Sequence, residues 1–355
     1  MKAQAVIATR KGLFTLDENS KLTLLAFDGV PVSMVLVSKH HDTWYAALDH
    51  GHFGVKLHRS DDAGKTWNEV SAPSYPIQEK SEEGASLELI WSLEFASTDP
   101  LKLWAGTIPG GLFYSKDGGE NWLLNESLWT LKLEQKWFGG GYNNPGIHSI
   151  CINPSDENQL TLGVSVAGVY VSKDGGQNWF NKSSGMQAEY MPPEQQFDSV
   201  GQDPHKLMVS PSDTSRLWVQ HHNGIFISSD SSDSWEEIEN VSPSTFGFAL
   251  AVHPHDADTA WFVPAIKDEC RIPVDAKMVV TRTRDGGKTF ETLASGLPIN
   301  SYDLVYRHGL DIDEHGEKLL MGSTTGNVWF STDQGDNWVT ISNCLPPVYA
   351  VRFLK

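Results

Sequence analysis

Short runs in which apolar and polar residues alternate recur along the whole chain, rich in β-branched and aromatic side chains and separated by Gly, Asn, Asp, Ser and Pro. Period-two patterning at this length predicts half-buried strands, and the tight spacing between runs predicts antiparallel hairpins. One succession reads "IHSICIN", "QLTLGVSV", "GVYVS" and "NWFNK", with "PSDEN" turning the first pair. "HKLMVS", "RLWVQHH", "GIFISS" and "SWEEI" repeat that order, as do "FALAVHPHD", "TAWFVPAI", "MVVTRTRD" and "TFETL". An earlier set, "IWSLEFASTDP", "KLWAGTIP", "GLFYSKD" and "NWLLN", has the same layout. Each unit therefore contributes four strands.

The turn between the third and fourth strands carries a second regularity, Ser-x-Asp-x-Gly-x-x-Trp. It stands at Ser60/Asp62/Gly64/Trp67, Ser115/Asp117/Gly119/Trp122, Ser172/Asp174/Gly176/Trp179 and Ser331/Asp333/Gly335/Trp338. Degenerate copies occur at Ser228/Asp230/Ser232/Trp235 and Thr283/Asp285/Gly287/Phe290. A repeat of roughly 50 to 55 residues signals a propeller or solenoid array. The residue types suit a turn: a hydroxyl and a carboxylate accept backbone N–H groups left over by the hairpin, and glycine takes the positive φ. The tryptophan can then close over the neighbouring unit. Asp62, Asp117, Asp174, Asp230, Asp285 and Asp333 are accordingly read as structural.

The ends of the chain complement each other. "AVIATRKGLFTLDENSKLTLLAF" near the start supplies three strands without a first, and "PVYAVRFLK" at the end is a first strand with nothing after it. Joining them yields a seventh unit and closes the ring, which leaves no exposed sheet edge. The expected fold is all-β, a single seven-bladed β-propeller over residues 1–355, closed by pairing of the C-terminal strand with the N-terminal blade.

This topology sorts the loops. The Ser-x-Asp turns and the "PSD" turns share one rim, whereas the connections between blades and the turns between second and third strands share the other. The long connections near residues 68–88, 125–147 and 181–204 crowd that second face, and loops of this length in a compact fold are usually functional. His148 and His205 occupy equivalent positions at the starts of adjacent first strands, with Trp91 as their counterpart one blade earlier. His222 lies in a turn beside them, and Glu194 and Asp198 enter along the connection before His205. Imidazoles and carboxylates gathered in this way offer acid–base catalysis, and His148, His205 and His222 form a candidate set for a divalent metal. Arg10, Arg271 and Arg307 come from neighbouring blades and could clamp a carboxylate. Trp91, Trp137 and Tyr142 supply aromatic surface for a small-molecule or glycan ligand.

Composition narrows the partners. The formal net charge is −18, so nucleic acid and anionic lipid would be repelled. No stretch approaches the roughly 20 apolar residues of a membrane span. Three cysteines without Cys-x-x-Cys spacing point to a reducing compartment, and the start lacks the pattern of a signal peptide, so a cytoplasmic location is expected. "GKT" at Gly64–Thr66 and Gly287–Thr289 falls inside the repeated turns and lacks the first glycine of a P-loop.

The repeated turn resembles the Asp box, or BNR repeat, of the sialidase-like propellers. Over its full length the chain resembles bacterial BNR-repeat proteins of the photosystem II stability/assembly-factor-like group, often labelled glycosyl hydrolase or exo-α-sialidase. "ATRKGLF", "AVHPHDADTAW", "TRTRDGGKTF" and "LPPVY" look like that group's landmarks. The resemblance implies a propeller and, with the label its group carries, a cytosolic glycosidase-like enzyme acting on a small acidic sugar or glycan; the alternative is a non-catalytic propeller binding a protein or assembly intermediate, and a metal-dependent lyase-like enzyme follows if the histidines ligate a metal. Arg271-Ile272-Pro273 matches the Arg-Ile-Pro of sialidases but stands between the fifth and sixth boxes rather than before the first.

Overall fold

In the computed structural model, which describes residues 3–76 and 85–354, the strands form seven four-stranded antiparallel sheets. Part of the first long connection expected on the loop-rich face, at 77–84, lies outside the described residues. Blade 1 pairs the last strand, Val348–Phe353, with Ala3–Thr9, matching Ala5 to Phe353 and Thr9 to Val348. Blades 2 to 7 follow in chain order, with first strands Val32–Val37, Leu89–Phe95, Gly146–Asn153, Pro204–Val209, Gly247–Val252 and Leu310–Ile312. Each first strand packs against that of the next blade, and the circuit closes from blade 7 through the C-terminal strand to blade 2. The core fills the gaps between neighbouring sheets, where Tyr45, Phe113, Trp218, Trp261 and Trp329 are fully buried.

The boxes form as their chemistry requires. In blade 4, Ser172 Oγ accepts the Gly176 N–H at 2.8 Å and donates to Asp174 Oδ1 at 2.9 Å. Asp174 in turn accepts the Asn178 backbone N–H at 2.9 Å and its side-chain amide at 2.7 Å. The same second donation comes from Thr66, Asn121, Ser234, Thr289 and Asn337 in the other boxes, so each copy has a fifth working position, six residues after its serine or threonine. Box tryptophans reach back one blade: Trp122 donates to the Ser71 carbonyl at 2.8 Å and Trp235 to that of Lys182 at 2.7 Å. Trp179 donates to Asn125 Oδ1 at 3.0 Å, and Asn125 also caps the helix α1, Glu126–Glu134.

On the opposite rim the first strands share another irregularity. Their pairing slips by one residue at Ser33, Trp91, His148 and His205, across Phe248 and Ala249 in blade 6, and at Tyr349 in the C-terminal strand. A bulge leaves one residue out of the ladder and re-aims its side chain. Repeated in six of the seven blades, it turns a side chain toward the channel mouth in five of them, the exception being His148 of blade 4.

Candidate active site

A cavity of about 950 Å³ opens at this mouth. Five of the bulge residues line it, Ser33, Trp91, His205, Phe248 and Tyr349. Blade 7 adds Tyr306, Arg307 and His308, and the loops add Gly139–Tyr142, Tyr190, His222 and the turn 266–271. These loops are inter-blade connections or turns between second and third strands; the box rim is on the far side.

Arg307 is the central cation. Its guanidinium lies 4.7 Å from the Trp91 ring centroid and 5.2 Å from that of Phe248, a cation–π contact on both sides. Burial pushes it down to about 10, with the Asp203 charge opposing the shift, so it stays protonated at neutral pH. Among the described residues no carboxylate pairs with it, and its Nε is buried without a hydrogen-bond partner. Beside it, His308 Nδ1 lies 3.2 Å from both Lys206 Nζ and Arg352 Nη2, two groups that can only donate. The imidazole proton therefore sits on Nε2, which is also buried without a partner. Burial, reinforced by Lys206 and Arg352, holds His308 well below the ordinary histidine range. Two adjacent residues of the cavity lining thus each carry an unsatisfied donor, which costs free energy until something accepts from it.

Across the cavity, Asp203 faces two imidazoles. Its Oδ1 accepts from the Val166 N–H at 3.0 Å and the Ser165 hydroxyl at 3.2 Å. Oδ2 points at His205 Nε2 and His222 Nδ1, both at 3.5 Å. His205 donates from Nδ1 to the Gly247 carbonyl at 2.7 Å and stacks on Phe248 with ring centroids 4.2 Å apart. Burial alone would raise the Asp203 carboxyl, but the two imidazoles and then Arg307 hold it well below the usual carboxylate range. Burial also lowers His205, with the facing Asp203 carboxylate opposing the shift.

The structure separates the candidate residues. Trp91, Tyr142, His205, His222, Arg271 and Arg307 all line the cavity. Tyr142 meets the Trp91 ring edge-on at 5.2 Å, and Arg271 lies 5.2 Å from Phe248 while its Nε bonds Asp268 Oδ1 at 3.0 Å. His148 does not join the metal-type cluster: its Nε2 reaches the Pro204 carbonyl of blade 5 at 2.6 Å and its Nδ1 the Ser149 hydroxyl of its own strand at 2.9 Å, so both nitrogens are already engaged. Trp137 turns into the core against Tyr170, and Glu194 and Asp198 are exposed along the connection, away from the cavity lining. Arg10 sits exposed in the short turn after Ala3–Thr9, so the expected three-arginine clamp is a two-arginine one. Asp203, Phe248, His308 and Tyr349 complete the site. Phe248 and Tyr349 were readable as equivalents of Trp91 and His205 in the strand alignment, whereas nothing local marks His308.

No family model matches the chain. It is 28% identical over 223 residues to an oligoxyloglucan-reducing end-specific xyloglucanase of Emericella nidulans, a match covering 56% of this chain and 25% of that protein. The chain thus spans about a quarter of the length of this curated relative. Among solved structures, an ancestral GH74 enzyme superposes with a TM-score of 0.62 at 15% identity, covering 87% of this chain and 38% of the other. YCF48 bound to D1 peptide superposes with a TM-score of 0.55 at 14% identity, covering 95% and 84%. By sequence pattern, sheet topology and structural likeness, the chain is a seven-bladed β-propeller similar to GH74 and YCF48 propellers.

Proposed function

We propose that the cavity binds a small acidic sugar or glycan and that the chain is a glycosidase-like enzyme acting on it. The observation that carries this reading is Arg307: its guanidinium lies against Trp91 and Phe248 and, among the described residues, has no carboxylate charge within ion-pair distance, and its Nε is buried without a hydrogen-bond partner. A carboxylate-bearing ligand would supply that charge, accept from Nε, and stack its apolar ring face on the aromatic walls. Arg271 stands where it can add a second contact, and Tyr142 closes the side of the site. Sugar-cleaving chemistry is supported by the xyloglucanase relative, which shares more than half of this chain. Asp268 and Glu269 line the cavity paired with Arg271 and Lys267, whereas Asp49 and Glu189 line it outside any ion pair among the described residues and are candidates for proton transfer.

Titration calorimetry with hexuronic and sialic acids against neutral xyloglucan oligosaccharides tests the reading. Acidic sugars should bind, and Arg307→Met should weaken them by roughly 10- to 100-fold, the scale of a charged hydrogen bond. Equal affinity for neutral and acidic sugars, or indifference to the substitution, would remove the basis for it.

A second reading is a protein-binding assembly factor. It is supported by the near full-length match to YCF48 and by Phe138 and Tyr142, which line the cavity 42% and 48% exposed. A peptide ending in a free carboxylate would use the same Arg307. Binding of such a peptide in preference to acidic sugars would favour this function.

A further inference from the structure

We propose that Asp203, His205 and His222 hold a divalent first-row transition-metal ion whose open side faces Arg307. Asp203 Oδ2, His205 Nε2 and His222 Nδ1 lie within 4.8 Å of one another. Both nitrogen-to-oxygen distances are 3.5 Å, beyond the 2.7–3.2 Å of a good N–H···O bond, and both imidazoles aim at one oxygen. That spacing suits three ligands arranged around an ion at about 2.0–2.2 Å from each.

The surroundings fix His205 and Asp203 in the required state and pack against His222. His205 gives its Nδ1 proton to a backbone carbonyl, the usual outer bond of a metal-ligating histidine, and this leaves Nε2 as the donor atom. Asp203 spends Oδ1 on the Val166 N–H and the Ser165 hydroxyl, leaving Oδ2 for the ion. Tyr190 meets the His222 ring edge-on at 4.8 Å and limits its swing. Gly140 passes directly over the cluster: a Cβ there would lie 3.8 Å from Asp203 Oδ2 and 2.4 Å from Val166 Cγ2, so a side chain would displace the pocket wall.

Two imidazoles and one carboxylate select zinc, iron, manganese or cobalt over calcium and magnesium, which favour all-oxygen shells. Three protein ligands leave at least one position open toward the cavity. Resting on the function proposed above, a sugar carboxylate would fill it, one oxygen on the ion and the other on Arg307.

The test uses the full chain, stripped with chelator and titrated with Zn²⁺ by calorimetry and with Co²⁺ by visible absorption. About one ion per chain should bind, and Co²⁺ should show the d–d bands of a nitrogen–oxygen site. His222→Ala, at a side chain 21% exposed, and the isosteric Asp203→Asn should each lower occupancy to roughly one tenth or less under the same conditions, with unchanged circular dichroism. Absence of stoichiometric binding to the folded chain, or full occupancy in both variants, would overturn the proposal. Repeating the acidic-sugar titration on chelated protein separates the two readings: sugar binding without metal uptake sinks only the metal site, and metal uptake without sugar selectivity sinks only the sugar function.

Discussion

Ser232 tests the physical account of the repeated turn. Five boxes place glycine at this position with φ between 82° and 91°, and the fifth blade places Ser232 there with φ 70°. A side chain in the left-handed region costs about 1–2 kcal/mol. Ser232 is also fully buried, and its hydroxyl has no hydrogen-bond partner, which adds about 1–3 kcal/mol. Ser232→Gly removes both terms and gives back about 0.5–1 kcal/mol through the greater freedom of glycine in the unfolded chain. The backbone N–H that donates to Ser228 Oγ at 3.0 Å is unaffected. Taking the lower ends of these ranges, the variant should be more stable by about 1–2 kcal/mol. Urea unfolding would show a higher midpoint at unchanged slope. Neighbouring Ser231, with φ 62° but exposed, is the control: Ser231→Gly relieves comparable backbone strain without removing a buried hydroxyl, so its gain should be near zero. No rise for Ser232→Gly, or an equal rise for both, would refute the reasoning.

The boxes also set an acid limit. Hydrogen bonds from the Thr66 backbone and side chain hold Asp62 at about 2, below its ordinary 3.8, and the other box aspartates are lowered as well. Because the folded values are depressed, their stabilisation is complete above the unfolded value near 4 and is lost as pH falls through about 2. The urea midpoint should drop across that window, and Asp62→Asn should make the drop smaller; curves that remain parallel would contradict this. Removing residues 348–355 takes away Val348, Val351 and Phe353, all buried, and unpairs Ala3–Thr9. At about 1.5–3 kcal/mol per side chain the loss rivals the stability of a typical domain, so the truncated chain should be unfolded or aggregated, and a cooperative melt at the full-length temperature would argue against ring closure as the stabilising device.

Strand pattern, box spacing and ring closure were legible because each is encoded locally: alternation within a strand, short polar side chains within a turn, and complementary half-units at the two ends. The fifth box position was equally visible, since Thr66, Asn121, Asn178, Ser234, Thr289 and Asn337 are all short donors, but its role emerges only once Asp Oδ2 is seen turned toward it. The site was legible in part. Equivalent positions picked out Trp91 and His205 because the bulge recurs at one place in six of the seven first strands. The same rule included His148, whose ring nitrogens instead find partners in blades 4 and 5. Glu194 and Asp198 were placed by proximity in sequence, yet a 3₁₀ turn at Ser199–Gly201 intervenes before Asp203 and leaves them outside. Arg10 was placed by topology alone. Its two-residue turn is too short to reach inward, unlike the longer turn that carries Arg271.

The ring also separates what holds the protein together from what it offers to a ligand. Box hydrogen bonds close each outer hairpin on one rim, and those of Trp122, Trp179 and Trp235 tie it to the preceding blade, so the inner strands can carry bulges and unsatisfied donors on the other without opening the fold. The electrostatics divide in the same way. A net charge of −18 repels an anion at long range, but that field is screened within about 8 Å at physiological ionic strength. Inside the cavity the enclosed Arg307 Nε and the buried His308 Nε2 are donors that carry no partner, where screening is weak, while Asp268 already pairs with Arg271. On the proposed function, selectivity for an acidic ligand would therefore arise after encounter, from groups that meet it only once water has been displaced. A cation held by Asp203, His205 and His222 would strengthen that short-range attraction at the same point.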